Sequence, residues 1–365
     1  MKTGILTFPN SISYGAALQM YALYKTVGKM GHDVEVLNYH NEYMKAEKHT
    51  GKPTVNTSLK DGIKNKVRTL MHSRLYSNFS RFEKQYIKLY PEVAFTDKAE
   101  LEAVGKRYEA VICGSDQVWN PLITDSDLSY YLSFCTEKTR RISYAPSFGI
   151  EDFSDEFCAD VSREINKFYA VSVRECPGKE LVERLTDKKA QIVIDPTLLL
   201  DSSEWKTLEK RHIAAKGDYI LYYAAIRSDS LFKKCLEFSK QTGIKIVFVG
   251  GNPVQKLKNK NPLLEYAVDA SPEEWLYLIS NARYVFTNSF HGTAFSIINR
   301  KNFFVEYPGF ANSRLIQLLG CLGLEKRAVK EYSDITDEKV DYIEVNKKLS
   351  VLREESLEFL KNALE

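Results

Sequence analysis

Residues 287–296 place hydroxyl side chains, a histidine and a glycine at the start of a predicted helix. They continue an apolar strand, 284–287, and lead into the apolar residues 294–298. The first turn of a helix presents N–H groups without intrahelical partners and the positive end of the helix dipole, which together suit a phosphate or a carboxylate. His291 can give or take a proton near neutral pH. The pattern predicts an anion site with an acid–base group beside it.

Three neighbours of His291 complete this predicted site. Gly292 lets the backbone approach a ligand closely, and Ser289 and Thr293 offer hydroxyl groups to it. The alternative is a capping turn that contains a structural histidine. Of the six histidines, His291 alone stands in such a setting, which favours a functional role.

A second polar segment, 114–121, follows the predicted strand 111–113. Asp116 could orient the hydroxyls of a sugar, and Trp119 could stack on a sugar face. The alternative is an ordinary turn in which Asp116 caps a helix. The side chains that this segment would offer to a sugar are Asp116, Gln117, Trp119 and Asn120.

Arginines stand at the ends of further predicted elements. Arg174 follows the predicted strand 169–173, and Arg314 lies at the start of the predicted helix 312–322. A guanidinium group binds carboxylate and phosphate through a fork of N–H donors, so both arginines are candidates to hold an anionic ligand. Arg227 is a weaker candidate. The alternative for each is a surface ion pair.

The elements that position these residues alternate strand and helix, which is typical of parallel α/β folds. Polar residues end most of the strands, and in a parallel sheet these ends meet at one edge, where ligands bind. The predicted strands are 4–8, 34–37, 111–113, 142–145, 169–173, 192–194, 219–223, 244–249, 284–287 and 303–305. The predicted helices are 16–30, 228–242, 272–281, 291–299, 312–322 and 341–365.

Two α/β blocks of similar size follow one another along the 365 residues. The sequence therefore predicts two Rossmann-like domains facing a cleft, residues 1–204 and residues 205–365, the second ending in a C-terminal helix. No low-complexity linker separates them, so the boundary falls between 195 and 218.

Segment 58–90 differs from the rest of the first predicted domain. It carries apolar residues at helical spacing and eight basic against two acidic side chains, which predicts a basic amphipathic helical insertion. The favoured interpretation is a helix packed on the first domain with solvated lysines. The alternative is docking to an anionic lipid or a phosphate-bearing acceptor.

Composition excludes several classes of protein. The net charge of +3, from 51 basic and 48 acidic residues, is too small to indicate a nucleic-acid partner. No apolar run is long enough to span a membrane, and the apolar start is too short for a signal peptide, so we expect a cytoplasmic protein. The sequence motifs of dinucleotide-binding proteins, P-loop enzymes, zinc proteases and serine hydrolases are absent.

The cysteines form no C-x-x-C pair, so we expect buried free thiols and neither disulfides nor a zinc site. They are Cys113, Cys135, Cys158, Cys176, Cys235 and Cys321.

The segments around these residues resemble the motifs of the polysaccharide pyruvyl transferase family. The resemblance depends on six ordered motifs: YGAALQ at 14–19, GSDQVWN at 114–120, SYAPSFG at 143–149, SVRE at 172–175, DPTLL at 195–199 and TNSFHGT at 287–293. The sequence departs from the family pattern at two positions. Ser13 stands where the family often has Asn, and Ser289 stands where characterised members carry an arginine.

The resemblance implies a fold like that of the two-domain GT-B glycosyltransferases. It also implies phosphoenolpyruvate as co-substrate, with no other cofactor, and a product in which a pyruvate ketal bridges two hydroxyls of one sugar. Matched by motif, His291 is the catalytic histidine and Arg174 an arginine that holds the donor. Arg314 matches a second basic position near the donor. The other residues predicted to bind the donor are Ser289, Gly292 and Thr293.

On the acceptor side, which we assign to the first domain, the resemblance adds Tyr14 to the predicted sugar-binding residues and makes Asp116 a candidate base. In the predicted mechanism one sugar hydroxyl adds to C2 of phosphoenolpyruvate while C3 is protonated. A second hydroxyl of the same sugar then displaces phosphate and closes the ketal. The mechanism requires no metal.

Two other functions remain open at this point. One is a GT-B-type glycosyltransferase that uses a nucleotide sugar, and the other is an inactive binding protein of polysaccharide assembly. The expected setting is the biosynthesis of exopolysaccharide or cell-surface polysaccharide, in the cytoplasm or at the inner face of the membrane if 58–90 meets a lipid-linked acceptor. The sequence leaves the acceptor sugar and the oligomeric state open.

Overall fold

The structure is a computed structural model that describes residues 1–41, 59–149, 155–251, 259–308 and 312–365. The chain alternates strands and helices, as predicted. The strands are β1 (Lys2–Leu6), β2 (Asp33–Tyr39), β3 (Leu89–Phe95), β4 (Ala110–Cys113), β5 (Arg140–Ser143), β6 (Val171–Val173), β7 (Ala190–Ile192), β8 (Tyr219–Tyr223), β9 (Lys245–Val249), β10 (Leu264–Ala267), β11 (Tyr284–Thr287) and β12 (Asn302–Val305).

Helices follow most of these strands in the described ranges. They are α1 (Tyr14–Lys29), α2 (Leu59–Tyr86), α3 (Lys98–Gly105), α4 (Pro121–Thr124), α5 (Asp155–Ile165), α6 (Cys176–Leu185), α7 (Ser202–Lys206), α8 (Asp229–Thr242), α9 (Pro272–Ser280), α10 (Phe290–Ile298), α11 (Ser313–Leu322) and α12 (Tyr342–Leu364). A serine caps the first turn of α1, α8, α9 and α10, because its hydroxyl accepts an N–H that has no partner within the helix.

Two five-stranded parallel sheets share one strand order. The first runs β3-β2-β1-β4-β5 and the second runs β10-β9-β8-β11-β12. In each, the chain order reverses between two neighbouring strands, β1 and β4 in one sheet and β8 and β11 in the other. Ligands of doubly wound α/β folds bind outside the carboxyl ends of the strands at such a reversal. The parallel α/β fold with a C-terminal helix is therefore confirmed, and it gives each sheet one expected ligand-binding edge.

A smaller pair of strands extends the first sheet. β6 and β7 pair in parallel, and Ala170, next to β6, bridges Ile142 of β5. This extension brings the residues that follow β6 and β7 toward the carboxyl ends of β4 and β5.

Two strands escaped the sequence analysis, and both lie at sheet edges. β3 begins inside the segment that was predicted to be helical through residue 90, whereas α2 ends at Tyr86. β10 is short and partly exposed. An edge strand is covered on fewer sides than a central strand, so its sequence lacks the continuous apolar run that marks β4 or β8.

The chain divides into two compact units. Unit 1 comprises Met1–Lys52, Glu83–Leu200 and Leu349–Glu365, and unit 2 comprises Pro53–Phe82 and Asp201–Lys348. This division differs from the predicted domains in two places, since the end of α12 belongs to unit 1 and much of α2 belongs to unit 2. Contacts explain the second difference, because Arg74 and Asn78 of α2 both bind Asp269, at 3.0 and 2.8 Å.

Each unit has its own apolar core. The core of unit 1 gathers the side chains of β1, β4 and β6 with aromatic residues of 119–134. That of unit 2 packs α8 on β8 and β11. None of the helices in the described ranges combines the length and apolar composition that crossing a bilayer requires.

The cysteines are free thiols, as predicted, but not all are buried. Cys176, the first residue of α6, and Cys321, near the end of α11, are exposed, and Cys158 is half-buried. Which of these cysteines face solvent depends on how their helices pack, which the spacing of the cysteines does not predict. The buried thiols are Cys113, Cys135 and Cys235.

We expect the two exposed thiols, Cys176 and Cys321, to react with Ellman's reagent in the folded protein at least about a hundredfold faster than the three buried ones. Burial raises the pKa of Cys135 to about 12 and moves the pKa of Cys113 and Cys235 upward, so little thiolate forms there. Peptide mass spectrometry after timed labelling measures the rates. In guanidinium chloride all six should react alike, and native labelling of Cys135 as fast as Cys176 would contradict the fold.

Candidate functional site

The carboxyl edge of the second sheet carries the predicted histidine. β11 ends at Thr287 and α10 starts at Phe290, so His291 lies in the first turn of α10, as the sequence indicated. The residue is 7% exposed, and its ring packs edge-on against Phe290 with centroids 5.2 Å apart. A nearly buried imidazole at a helix start is held in a defined orientation, which a proton donor or acceptor requires.

The hydroxyls beside His291 serve the helix start. Ser289 is the N-cap residue, and its Oγ accepts the N–H of Gly292 at 3.3 Å. The Thr293 Oγ1 donates to the Ser289 carbonyl oxygen at 3.0 Å. Both hydroxyls therefore make capping contacts, and their predicted contact with a ligand stays a prediction. What the loop can offer an anion is its backbone N–H groups and the helix dipole.

Gly292 allows a close approach of α10 to its own sheet. A Cβ atom at this position would lie 2.3 Å from the Thr287 Oγ1 and 3.1 Å from the Tyr223 ring. The sequence predicted that Gly292 lets a ligand approach the backbone closely. In the structure, the absence of a side chain at Gly292 lets α10 pack against the last residues of β8 and β11.

Asn288 joins the ends of β8 and β11. Its Oδ1 accepts the N–H groups of Ala225 and Ile226 at 2.8 and 3.3 Å, and its Nδ2 donates to the Ile226 carbonyl oxygen at 2.6 Å. The side chain thus fixes the loop between β8 and α8 at the reversal point of the sheet. The sequence analysis did not select Asn288, although it directly follows a predicted strand.

The two arginines proposed in unit 2 differ in setting. Arg314, the second residue of α11, is half-buried, and the loop just before that helix lies partly outside the described residues. Arg227 is largely exposed and pairs with Asp229, with Nε 3.0 Å from Oδ1. Arg227 therefore forms the surface ion pair that was its alternative interpretation.

Ser115 is the centre of the equivalent edge in unit 1. Its N–H donates to the Gln19 Oε1 at 3.2 Å, the Gln19 Nε2 donates to the Thr7 Oγ1 at 2.9 Å, and that hydroxyl donates to the Ser115 carbonyl oxygen at 3.3 Å. These hydrogen bonds connect the ends of β1 and β4 to α1.

Arg174 lies inside this edge. Its guanidinium donates from Nη2 to the Ser115 Oγ and lies 2.8 Å from the Asp195 Oδ2, while Nη1 is 3.9 Å from the Asp116 Oδ1. The side chain is only 2% exposed. The Arg174 guanidinium therefore forms an internal ion pair, and its predicted contact with an anionic ligand stays a prediction.

The carboxylates of Asp116 and Asp195 both lie within 3.9 Å of the Arg174 guanidinium. Asp195 is fully buried, so the accessible carboxylate is the half-buried Asp116. A carboxylate accepts hydrogen bonds from hydroxyl donors. No three potential metal ligands cluster anywhere in the described ranges.

Trp119 does not face a ligand. The residue is 0% exposed, its indole N–H donates to the Tyr130 carbonyl oxygen at 3.0 Å, and its ring stacks on Tyr131 with centroids 5.3 Å apart. The predicted stacking on a sugar is wrong, because both faces of the indole lie in the core of unit 1.

The remaining sugar-binding candidates are only partly accessible. Asn120 is buried, caps α4 and donates from Nδ2 to the Gln117 Oε1 at 2.9 Å. Tyr14 is nearly buried as the first residue of α1. Gln117 is half-buried, so Asp116 and Gln117 are the members of the predicted set that combine a polar end with exposure.

Comparison with known proteins identifies the family and the fold. The family model described as "Polysaccharide pyruvyl transferase" matches residues 14–307, a range that contains Asp116, Arg174 and His291. No curated protein is similar enough to match. Among solved structures, Arabidopsis thaliana UGT89C1 complexed with UDP-L-rhamnose is 9% identical with a TM-score of 0.51, covering 99% of this chain and 98% of that one. A UDP co-structure of Staphylococcus aureus MnaA is 12% identical with a TM-score of 0.50, covering 88% and 83%. At these identities the likeness shows the fold, which is that of the GT-B sugar enzymes.

We expect Gly292→Ala to lower the free energy of unfolding by about 1–3 kcal/mol, because the new methyl group would overlap Thr287 and press on Tyr223. Chemical denaturation measures the change. The matched control is Gly320→Ala in α11, whose Cβ meets no atom closer than 3.9 Å and which should gain up to about 1 kcal/mol from helix propensity. Equal stability of the two variants would contradict the close packing at the start of α10.

Proposed function

This chain belongs to the polysaccharide pyruvyl transferase family, and on that premise we propose that it transfers the pyruvyl group of phosphoenolpyruvate to two hydroxyls of one sugar. The observation that carries the proposal is the position of His291, which the family motif singles out, in the first turn of α10 at the reversal point of the second sheet. An acid–base group beside a helix start is what protonation of an anionic enol ester requires.

The proposed reaction has two steps. In the first, the oxygen of one sugar hydroxyl bonds to C2 of phosphoenolpyruvate, a proton reaches C3, and the methylene becomes a methyl group. In the second, another hydroxyl of the same sugar bonds to C2 and inorganic phosphate leaves with the C2–O electron pair. The products are a cyclic pyruvate ketal and phosphate. Proton transfer and anion stabilisation account for the chemistry, so the scheme contains no cofactor.

Unit 2 is assigned the donor. The backbone N–H groups of the first turn of α10, around Gly292, would meet the phosphate or the carboxylate. Arg314 would add a positive charge, and His291 would donate the proton that C3 receives. Ser289 and Thr293 contribute indirectly, because they hold this turn in shape.

Unit 1 is assigned the acceptor. Asp116 would accept the proton of the attacking hydroxyl, and Gln117 would orient a neighbouring hydroxyl. The half-buried Asp116 carboxylate supports the assignment, because it can accept a hydrogen bond from a sugar hydroxyl. Arg174, whose guanidinium lies 3.9 Å from the Asp116 carboxylate, would orient Asp116.

The acceptor and its setting belong to the same proposal. A sugar of an exopolysaccharide or cell-surface polysaccharide, or its precursor, fits the family, and the reaction is proposed for the cytoplasm or the inner face of the membrane. The side chains that would decide contact of 59–72 with a membrane lie outside the described residues.

We expect His291→Gln to lower kcat at least about a hundredfold while phosphoenolpyruvate still binds, because glutamine keeps the polarity of the site but supplies no exchangeable acid. Phosphate release with a panel of 4-nitrophenyl glycosides as acceptors measures turnover. The control is His212→Gln, a second nearly buried histidine of unit 2, whose Nδ1 accepts the Ala214 N–H at 3.1 Å. Full turnover by His291→Gln would refute its assignment.

We also expect phosphoenolpyruvate to raise the Tm in a thermal-shift titration, since a ligand at a hundred times its Kd stabilises the folded state by about 2.7 kcal/mol. UDP-sugars and inorganic phosphate are the comparison ligands. A shift with UDP-sugars alone would instead favour glycosyl transfer from a nucleotide sugar. Binding of phosphoenolpyruvate without phosphate release on any glycoside would favour a binding protein of polysaccharide assembly.

A further inference from the structure

We propose that unit 2 contains a ligand site apart from the edge assigned to the donor: a cavity beside β12 that binds a small organic carboxylate through the buried guanidinium of Arg327. This site goes beyond the proposed transfer reaction. Its test needs neither phosphoenolpyruvate nor a sugar.

The cavity has a volume of about 230 Å³ and lies at the outer side of the second sheet. The end of α11, the segment 334–341 and the first turns of α12 surround it, and Phe304 of β12 lines it. β12 is the edge strand, whereas the donor is assigned to the reversal point between β8 and β11. Pockets for drug-sized ligands commonly measure about 300–1,000 Å³, so this cavity suits a smaller molecule.

Arg327 brings a positive charge into this cavity. It ends the one-turn 3₁₀ helix Glu325–Arg327 and is 8% exposed. Its Nη2 donates to the Glu338 carbonyl oxygen at 2.6 Å, and no carboxylate of the described residues forms an ion pair with it. The exposed carboxylate of Glu338 attracts it only from beyond ion-pair distance. Burial raises the pKa of the neighbouring Tyr342, so that phenol is neutral.

The other buried arginines of the described ranges are paired differently. Arg141 lies 3.1 Å from the Glu164 carboxylate, and Arg174 lies 2.8 Å from that of Asp195. Burial lowers the pKa of Arg327, but an arginine stays charged at neutral pH. Because a buried charge without a counter-ion is destabilising, an anion that enters the cavity supplies what the chain itself does not place beside Arg327.

The floor of the cavity determines the rest of the ligand. The buried side chains that line it are apolar, apart from Arg327: they are Phe304, Leu322, Leu324 and Val345. A guanidinium binds a carboxylate through two parallel N–H donors, and an apolar floor favours CH₂ groups over further charges. The expected ligand is therefore a carboxylate with a short apolar chain.

The exposed residues at the mouth of the cavity carry both signs of charge. Among the acidic ones, Asp334 and Asp341 accept backbone N–H groups, and Glu344 pairs with Lys347 at 2.6 Å. Among the basic ones, none forms an ion pair within the part of the chain that the structure describes. They are Lys326, Lys339 and Lys348. An entering anion therefore meets ammonium groups without an ion-pair partner.

Butanoate is the probe, with acetate and the neutral butanamide as comparison ligands. Saturation-transfer NMR in a chloride-free buffer gives Kd for each, and a crystal structure with butanoate shows where its carboxylate lies. We expect butanoate to bind at least about tenfold more tightly than acetate, since each buried CH₂ group adds about fourfold in affinity. Butanamide should bind at least about tenfold more weakly than butanoate, because it carries no charge for Arg327.

Arg327→Gln removes the charge and keeps a donor for the Glu338 carbonyl oxygen. It should weaken butanoate binding at least about tenfold and leave kcat and KM for phosphoenolpyruvate within about twofold. The matched control is Lys326→Gln, the same change of charge at an exposed neighbour that also lines the cavity. Because that ammonium group is solvated, this variant should weaken butanoate by at most about threefold.

Equal Kd values for butanoate and butanamide, an unchanged Kd in Arg327→Gln, or a bound carboxylate away from Arg327 would overturn the inference. Tighter binding of inorganic phosphate than of butanoate would do the same. If Arg327→Gln does not fold, Arg327→Lys keeps the charge and should retain the preference for butanoate over butanamide. If the wild-type protein does not turn over phosphoenolpyruvate, the proposed function fails, and the butanoate titration still decides whether this site exists.

Discussion

A buried guanidinium group requires a counter-ion close to it, and the carboxyl edge of the sheet in unit 1 is organised around that requirement. Arg174 follows a buried strand, and its charge is met by Asp195 with help from the Ser115 hydroxyl. Breaking such a pair costs several kcal/mol, so the loops that carry its members cannot move independently. Asp116 lies 3.9 Å from the same guanidinium, so the ion pair between Arg174 and Asp195 also constrains its position.

The edge of unit 2 reaches a similar rigidity without a buried ion pair. Asn288 binds three backbone groups of the loop after β8, and Ser289 caps the helix that carries His291. The first turn of α10 contains no acidic side chain, so its cap leaves the positive end of the helix dipole without a carboxylate of that turn.

Much of the fold and of the candidate site could be predicted from the sequence. A central parallel strand is a short apolar run, and the polar residue that follows it lies at the edge of the sheet. His291 and Asp116 follow from that rule. This rule does not predict which of these polar or aromatic side chains are buried against partners inside the protein. In the sequence, Trp119 is a candidate to stack on a sugar. In the structure its indole contacts Tyr130 and Tyr131, which lie eleven and twelve residues further along the chain. The burial of Arg174 likewise depends on Asp195, twenty-one residues later.

The chain order of unit 1 has a consequence for its biosynthesis. Ser356 and Arg353 of α12 complete the turn around Asp195 through hydrogen bonds with Ile194 and Leu198, yet they are synthesised after the whole of unit 2. A ribosome therefore releases the strands of unit 1 long before the helix that secures them, and contacts so distant in sequence form late. During synthesis the turn around Asp195 therefore lacks its contacts with α12, and this edge reaches its final structure only after α12 has folded against it.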